Sequence, residues 1–151
     1  MQNEAQSEAV SRQRLFTHET NLWLPRGRTE VFEFFGDVRN LQKITPDWLD
    51  FSILTPPPIQ LRSGTRIDYK LKVHGLPVRW QTEITAWEPP LRFVDVQRKG
   101  PYRRWVHEHL FEKRDGGTLV QDRVSYLPLG GRLINWLFVQ RDVRRIFEHR
   151  T

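Results

Sequence analysis

The sequence contains no cysteine and no apolar run long enough to cross a membrane. The missing thiols exclude disulfide bridges, thiolate metal sites and cysteine nucleophiles throughout the 151 residues. No stretch approaches the roughly eighteen apolar residues of a membrane span, and the opening residues MQNEAQSEAVSRQ lack the apolar core of a secretory signal. We therefore predict a cytoplasmic location.

Long runs of lysine and arginine are also missing, although the net charge is +6. Arginine is spread along the whole chain, and no run of Lys and Arg exceeds two residues. Helix-turn-helix, zinc-finger and RNP patterns do not occur either. The positive charge is therefore interpreted as a solvated surface, and we predict no nucleic-acid partner.

Aromatic residues, by contrast, are plentiful. They make up 12% of the sequence, with six tryptophans and nine phenylalanines, and apolar residues reach 38%. This composition supports a folded core in one domain, since a chain of this length buries roughly 68 to 70% of its surface on folding. We predict a single domain over residues 14–151 and a disordered tail over residues 1–13, which lack apolar periodicity.

Helix signals follow the first strand-like run, which extends from residue 15 to residue 24. Thr29 is predicted to cap a helix through TEVFEFF, and Gly36 to end it. Asp37 is predicted to cap a second short helix, VRNLQKI. The sequence thus predicts two short helices directly after one strand.

From residue 51 onward, apolar residues recur at every second position, which is the period of half-buried antiparallel strands. Turn residues separate these runs, which are FSIL, TRIDYKLKV, VRWQTEITAW, LRFVDVQ, RRWVHEHLFEK and TLVQDRVSY. Helical spacing returns in the last segment, RLINWLFVQRDVRRIFEHR. We predict an α+β domain: a seven-stranded, curved antiparallel sheet around a long C-terminal helix, with two short helices after the first strand.

A sheet curved around one helix leaves a cavity wherever side chains do not fill the space between them. On the strand RRWVHEHLFEK, two histidines and two large aromatic residues share one face, which we predict to point into this cavity. The residues predicted to contact a ligand there are Tyr69, Trp80, Asp95, Trp105, His107, His109, Phe111, Tyr126 and Trp136.

The two histidines admit three interpretations. They could bind a metal if Asp95, Asp122 or Tyr69 supplied a third ligand, but no adjacent residue does so, and we predict neither a metal nor a cofactor. A buried neutral pair, satisfied by Asp95, Asp122 or a hydroxyl, is favoured on structural grounds. The preferred functional interpretation is a hydrogen bond from His107 or His109 to a ligand carbonyl or hydroxyl.

Alternate turns of a meander lie at the same end of the sheet, and one end collects apolar tips. These tips are Trp48, Leu49, Leu76, Tyr102 and Leu129, and we predict that Trp48, Leu76, Tyr102 and Leu129 form the mouth of the pocket. Basic residues surround them: Lys72, Arg79, Arg98, Lys99, Arg103, Arg104 and Arg132. Such an end suits docking on an anionic membrane or a protein partner, whereas the simpler alternative is tips that pack on one another.

Three parts of the chain resemble the START-like, or SRPBCC, superfamily, and specifically its bacterial ligand-binding and polyketide cyclase/dehydrase branch. They are RTEVFEFFGDVRNLQKITP, GPYRRWVHEHLFEKRDGGTLVQDRVSYLPLGG and the closing amphipathic helix, and the resemblance covers about Leu15 to Arg150. It implies a helix-grip fold with a deep, mostly apolar cavity between sheet and C-terminal helix. It does not imply catalysis, because catalytic groups in this superfamily differ from branch to branch.

The function predicted from these observations is binding of a small hydrophobic ligand, such as a lipid, a quinone or a polyketide-like molecule, by a carrier or sensor. One alternative is a cyclase or dehydratase in which His107 or His109 moves a proton. Arg66, Arg79 or Arg92 would then stabilise an enolate, provided that it faced inward. Strand alternation predicts that Arg66 and Arg79 face outward, which argues against this alternative. A second alternative is a protein-interaction module without a ligand.

Overall fold

The computed structural model describes residues 15–73 and 75–128. The tail predicted over residues 1–13, the predicted C-terminal helix, Leu129 and Trp136 lie outside these residues. No helix in the described part has the length and apolar character needed to span a membrane.

Seven strands form one antiparallel sheet in the described part of the chain, and its order is β1-β7-β6-β5-β4-β3-β2. The strands are β1 Phe16–Leu24, β2 Ser52–Ile53, β3 Arg66–Val73, β4 Leu76–Glu88, β5 Arg92–Lys99, β6 Tyr102–Arg114 and β7 Gly117–Pro128. Between β1 and β2 lie helix α1 (Arg28–Phe35), helix α2 (Val38–Ile44) and a 3-10 turn (Asp47–Leu49). This order confirms the predicted α+β fold with two short helices after the first strand.

Strand β6 shows how the sequence pattern places side chains. Trp105, His107, His109 and Phe111 are buried on one face, which we call the inner face because α1 packs against it. The residues between them lie on the other, outer face, where Glu108 pairs with arginines. The predicted inward direction of the two histidines is therefore confirmed.

The N-cap of helix α1 lies two residues before the predicted cap. Gly27, in an extended conformation, is the N-cap residue, and its carbonyl accepts the first helical hydrogen bond from Val31 N at 3.0 Å. Thr29 therefore lies within the first turn, and its prediction as the cap is wrong. Gly36 ends the helix as predicted, and the Asp37 carboxylate caps α2 by accepting from the Arg39 amide at 2.9 Å.

Two apolar clusters cover the inner face. The α1 cluster consists of Val31, Phe32, Phe93, Phe111 and Val120. The tryptophan cluster consists of Leu49, Leu71, Trp80, Trp105, Val124 and Tyr126. Their strand residues alternate along β3 to β7, so the two clusters occupy successive parts of one surface.

Candidate functional site: a histidine and aspartate cluster on the inner face

Four polar side chains meet on the inner face, on strands that hold the two apolar clusters. The sheet register places His107 opposite Asp95 on β5, and His109 opposite Asp122 on β7. Because all four positions share one face of three adjacent strands, their side chains converge. We call this group the His–Asp cluster.

Each carboxylate of the cluster contacts both imidazoles. Asp122 Oδ1 lies 2.8 Å from His107 Nε2 and 3.2 Å from His109 Nδ1. Asp95 Oδ2 lies 2.6 Å from His109 Nε2 and 4.0 Å from His107 Nδ1. Three of these separations are hydrogen-bond distances, so the cluster is a nearly closed ring of interactions.

Aromatic stacking and one hydroxyl fix the cluster further. The rings of His107 and His109 stack with centroids 3.7 Å apart, and Phe93 stacks on the other side of His109 at 4.0 Å. The buried Thr82 hydroxyl lies 3.4 Å from Asp95 Oδ1. The histidines are 5% and 8% exposed, so protein surroundings rather than water set their protonation.

The two histidines differ in charge for identifiable reasons. Burial, together with the positive charge on His109, lowers the pKa of His107. Burial also opposes charge on His109, but hydrogen bonds to Asp122 and Asp95 outweigh it and raise the pKa of His109. The hydrogen bonds from both rings likewise hold the pKa of Asp122 well below its usual range despite its burial. These shifts favour the charged form of His109 and of Asp122 and the neutral form of His107.

Sequence reasoning identified the members of the cluster but left their pairing open. Asp95 and Asp122 were alternatives, and the structure uses both. Thr82 and Phe93 were missed as contacts of the cluster, although strand alternation already placed Thr82 on the face of Trp80. Alternation along the strands places Phe93 on the face of Asp95 in the same way, so both contacts could have been predicted from the sequence.

The other predicted ligand contacts are divided between the two apolar clusters. Trp80, Trp105 and Tyr126 belong to the tryptophan cluster, with Tyr69 packed against it, and Phe111 belongs to the α1 cluster. All five lie on the inner face together with the His–Asp cluster. Whether any of them contacts a ligand remains a prediction.

The arginines required by the cyclase interpretation face away from the histidines. Arg66 pairs with Glu83 at 2.8 Å, and Arg92 pairs with Glu88 and Glu108 on the outer face. Arg79 is exposed and alternates with the inward Trp80. The condition that one of these arginines faces inward is therefore not met, because the period-two pattern places each on the solvent side.

The end of the sheet predicted to be the mouth carries exposed apolar residues. Leu76 is 69% exposed and Trp48 is 43% exposed. Tyr102 instead packs against the tryptophan cluster, where Leu49 is buried, so these two tips follow the simpler alternative in which the tips pack together. Six of the predicted basic neighbours are exposed: Lys72, Arg79, Arg98, Lys99, Arg103 and Arg104.

The fold and the sequence together define the family. Residues 24–148 match the family model described as polyketide cyclase/dehydrase and lipid transport, so the chain belongs to this family. The resemblance to the SRPBCC superfamily is therefore confirmed, and with it the general class of a START-like ligand-binding domain.

Solved structures share the fold at low sequence identity. Protein Ms6760 from Mycobacterium smegmatis is 18% identical with a TM-score of 0.66, and the alignment covers 91% of each chain. Protein TTHA0849 from Thermus thermophilus is 17% identical with a TM-score of 0.64, covering 89% of this chain and 88% of its own. The major latex-like protein 151 from Panax ginseng is 15% identical with a TM-score of 0.61, covering 91% and 99%. A search of curated proteins found no significant match.

Proposed function

We propose that this protein is a cytoplasmic carrier or sensor that binds a small hydrophobic ligand, such as a lipid, a quinone or a polyketide-like molecule, against the inner face of the sheet. The family, whose description includes lipid transport, supports this proposal. So does the composition of the inner face, where aromatic clusters surround a few convergent polar groups, as is typical of small-molecule sites.

The observation that carries the proposal is the state of the Trp80 indole. Its Nε1 atom is buried and has no hydrogen-bond acceptor among the described residues. Trp80 stacks on Tyr69 with ring centroids 6.0 Å apart and meets Trp105 edge-on at 5.1 Å. A buried N–H without an acceptor costs about 1–3 kcal/mol, so a ligand oxygen placed here would recover that cost. Carbonyl-bearing apolar molecules, such as quinones and polyketides, fit this requirement.

Native mass spectrometry of gently purified protein should therefore show a bound small molecule. Once the ligand is identified, Trp80→Phe should weaken its binding roughly twofold to tenfold, because it keeps the ring packing but loses a hydrogen bond worth about 0.5–1.5 kcal/mol. The dissociation constant can be followed by quenching of tryptophan fluorescence or by calorimetry.

Trp23→Phe is the matched control for this experiment. Trp23 is 45% exposed at the opposite end of the sheet, and its Nε1 donates to the Arg114 carbonyl at 2.8 Å. The control should leave ligand affinity unchanged. A protein that purifies without any bound molecule and takes up no quinone, lipid or aromatic polyketide would contradict carriage and favour an interaction module. Turnover of a captured polyketide that depends on His107 would favour the cyclase interpretation.

The exposed apolar end supports a second part of the proposal, that the protein docks transiently on an anionic membrane to exchange its ligand. Leu76 and Trp48 supply apolar contacts, and each basic neighbour near the surface adds about 1 kcal/mol of attraction. The protein should sediment with vesicles of equal parts phosphatidylcholine and phosphatidylglycerol at low salt, and less at high salt. Leu76→Glu should weaken this binding about tenfold or more, because inserting a leucine side chain contributes about 1.5–3 kcal/mol.

Leu91→Glu tests whether the effect belongs to this end of the sheet. Leu91 is 50% exposed in the turn between β4 and β5, at the opposite end, and its replacement introduces the same change of charge. Sedimentation of this variant should equal that of the wild type. Equal loss in both variants, or no sedimentation at any salt concentration, would rule out docking through Leu76.

A further inference from the structure

Each ring of the His–Asp cluster directs one nitrogen to Asp122 and the other to Asp95, and the two rings exchange the roles of Nδ1 and Nε2. One nitrogen of each ring lies against Asp122, at 2.8 Å for His107 Nε2 and 3.2 Å for His109 Nδ1. The other nitrogen of each ring faces Asp95, at 4.0 Å for His107 Nδ1 and 2.6 Å for His109 Nε2. Two imidazole nitrogens and one carboxylate oxygen therefore converge on the side of Asp95.

The spacing of these three groups suits a metal ion. One ligand atom from each of Asp95, His107 and His109 can be chosen so that all lie within 4.8 Å of one another. A metal held at about 2.0–2.2 Å from nitrogen and oxygen ligands, with angles of about 90–109° between them, needs those ligands about 2.8–3.6 Å apart. The observed separations of 2.6 and 4.0 Å lie on either side of this range, and because the two rings stack with an angle of 24° between their planes, one imidazole must turn out of the stack to direct its lone pair at the metal.

Asp122 and Thr82 contact the three proposed ligands in the way that residues surrounding a metal site contact its ligands. A metal-bound histidine usually donates its second ring N–H to a carboxylate, which fixes the ring and its tautomer. Asp122 accepts from both histidines in this way. The Thr82 hydroxyl contacts Asp95 Oδ1 at 3.4 Å and leaves Oδ2 facing the histidines.

Charge also favours a divalent cation. Two carboxylates and two neutral imidazoles carry a charge of about −2, and burial makes any uncompensated charge costly. The side chains of Asp95 and Asp122 are only 18% and 13% exposed. A divalent ion would balance the two carboxylates and bring the cluster to neutrality.

From these observations we infer a metal site of the two-histidine, one-carboxylate type: His107 Nδ1, His109 Nε2 and Asp95 bind a divalent transition-metal ion, with Asp122 orienting both rings. Nitrogen and oxygen ligands of this kind suit Zn²⁺ or Fe²⁺, and three protein ligands leave a coordination position open. The absence of a metal predicted from the sequence is thereby revised, because the strand register supplies the third ligand that sequence neighbours did not. The inference goes beyond ligand carriage and can be tested without any organic ligand.

Zinc binding to untagged protein, first dialysed against EDTA, tests the site directly. Calorimetry and elemental analysis after gel filtration should give one Zn²⁺ per chain. His109→Gln and Asp95→Asn should weaken binding by more than about 100-fold, and Asp122→Asn by about 10–100-fold, the usual effect of an outer partner. His18→Gln is the matched control, because His18 lies on the inner face of the sheet in β1, opposite Val124. This variant should bind Zn²⁺ as the wild type does. Unchanged affinity in the first three variants would overturn the inference.

A measurement on the wild type keeps the test valid if a variant fails to fold. In protein labelled with ¹⁵N-histidine, Zn²⁺ should shift the ring nitrogens of His107 and His109 and leave those of the other three histidines in place. Shifts confined to His18, His74 or His149, or no shift at one equivalent of Zn²⁺, would show that the cluster does not bind the metal.

Discussion

Replacing His109 with alanine is expected to lower the free energy of unfolding by about 3–5 kcal/mol when metal is excluded with EDTA. His109 donates to Asp95 at 2.6 Å and to Asp122 at 3.2 Å, and its imidazolium separates two largely buried carboxylates. Without it, both carboxylates lose the positive charge that lies between them. Removing one member of a buried charged group is costly mainly because it leaves the others uncompensated. Urea denaturation followed by tryptophan fluorescence measures the change.

A double-mutant cycle separates this effect from the loss of ring packing on Phe93. Asp95→Asn removes one of the two negative charges, so the double variant His109→Ala with Asp95→Asn should be more stable than the sum of the single losses implies. We expect a coupling energy of at least about 1 kcal/mol. His109→Gln, which keeps an amide NH₂ group as a donor, should lose less than His109→Ala. Strictly additive losses would mean that His109 does not stabilise the fold through Asp95.

Replacing Phe32 with alanine should cost about 3–5 kcal/mol for a different reason, the loss of apolar packing. Phe32 is 3% exposed and is the main side chain of α1 in the α1 cluster. Its ring centroid lies 5.1 Å from Trp87, 5.7 Å from Phe93 and 5.1 Å from Phe111. The variant leaves a cavity between helix and sheet that neighbouring rings fill only in part. Chemical denaturation should show the loss as a lower midpoint.

Phe34→Ala is the matched control on the same helix. Phe34 is 42% exposed and packs its ring on Phe35, so the same substitution removes little buried area. It should change the free energy of unfolding by no more than about 0.5 kcal/mol. Similar losses in the two variants would mean that helix stability, and not packing on the sheet, limits this region.

The sequence predicted the strands well because period-two alternation is long and regular in most of them. It predicted the inward face of β6 from the large residues alone, and it separated the outward Arg66 and Arg79 from the inward Trp80. The predicted ends of strands were less accurate where hydrogen bonds, and not the apolar pattern, decide where the strand stops. Strand β2 is only Ser52–Ile53, and the Leu54 and Thr55 amides both turn to the Asp68 carbonyl.

The pairing within the His–Asp cluster could not be predicted, because it depends on register between strands. A shift by two residues between β5 and β6 would keep every side chain on its face and still place Asp95 opposite Trp105 or His109 instead of His107. The turn between β5 and β6 settles that register, and its Gly100-Pro101 pair predicts a turn without predicting which residues face each other. The same limit explains why the third metal ligand was left open among Asp95, Asp122 and Tyr69.

The two faces of β6 differ most at Glu108, which lies on the outer face between the inward His107 and His109, and this difference disfavours a misaligned hairpin. A slip by one residue against β7 would turn Glu108 into the apolar interior and remove its contact with Arg123. It would at the same time expose Trp105 and both imidazoles to water. A misaligned hairpin would therefore be destabilised on both faces of the strand. The buried residues of β6 thus also help to select the correct register between β6 and β7.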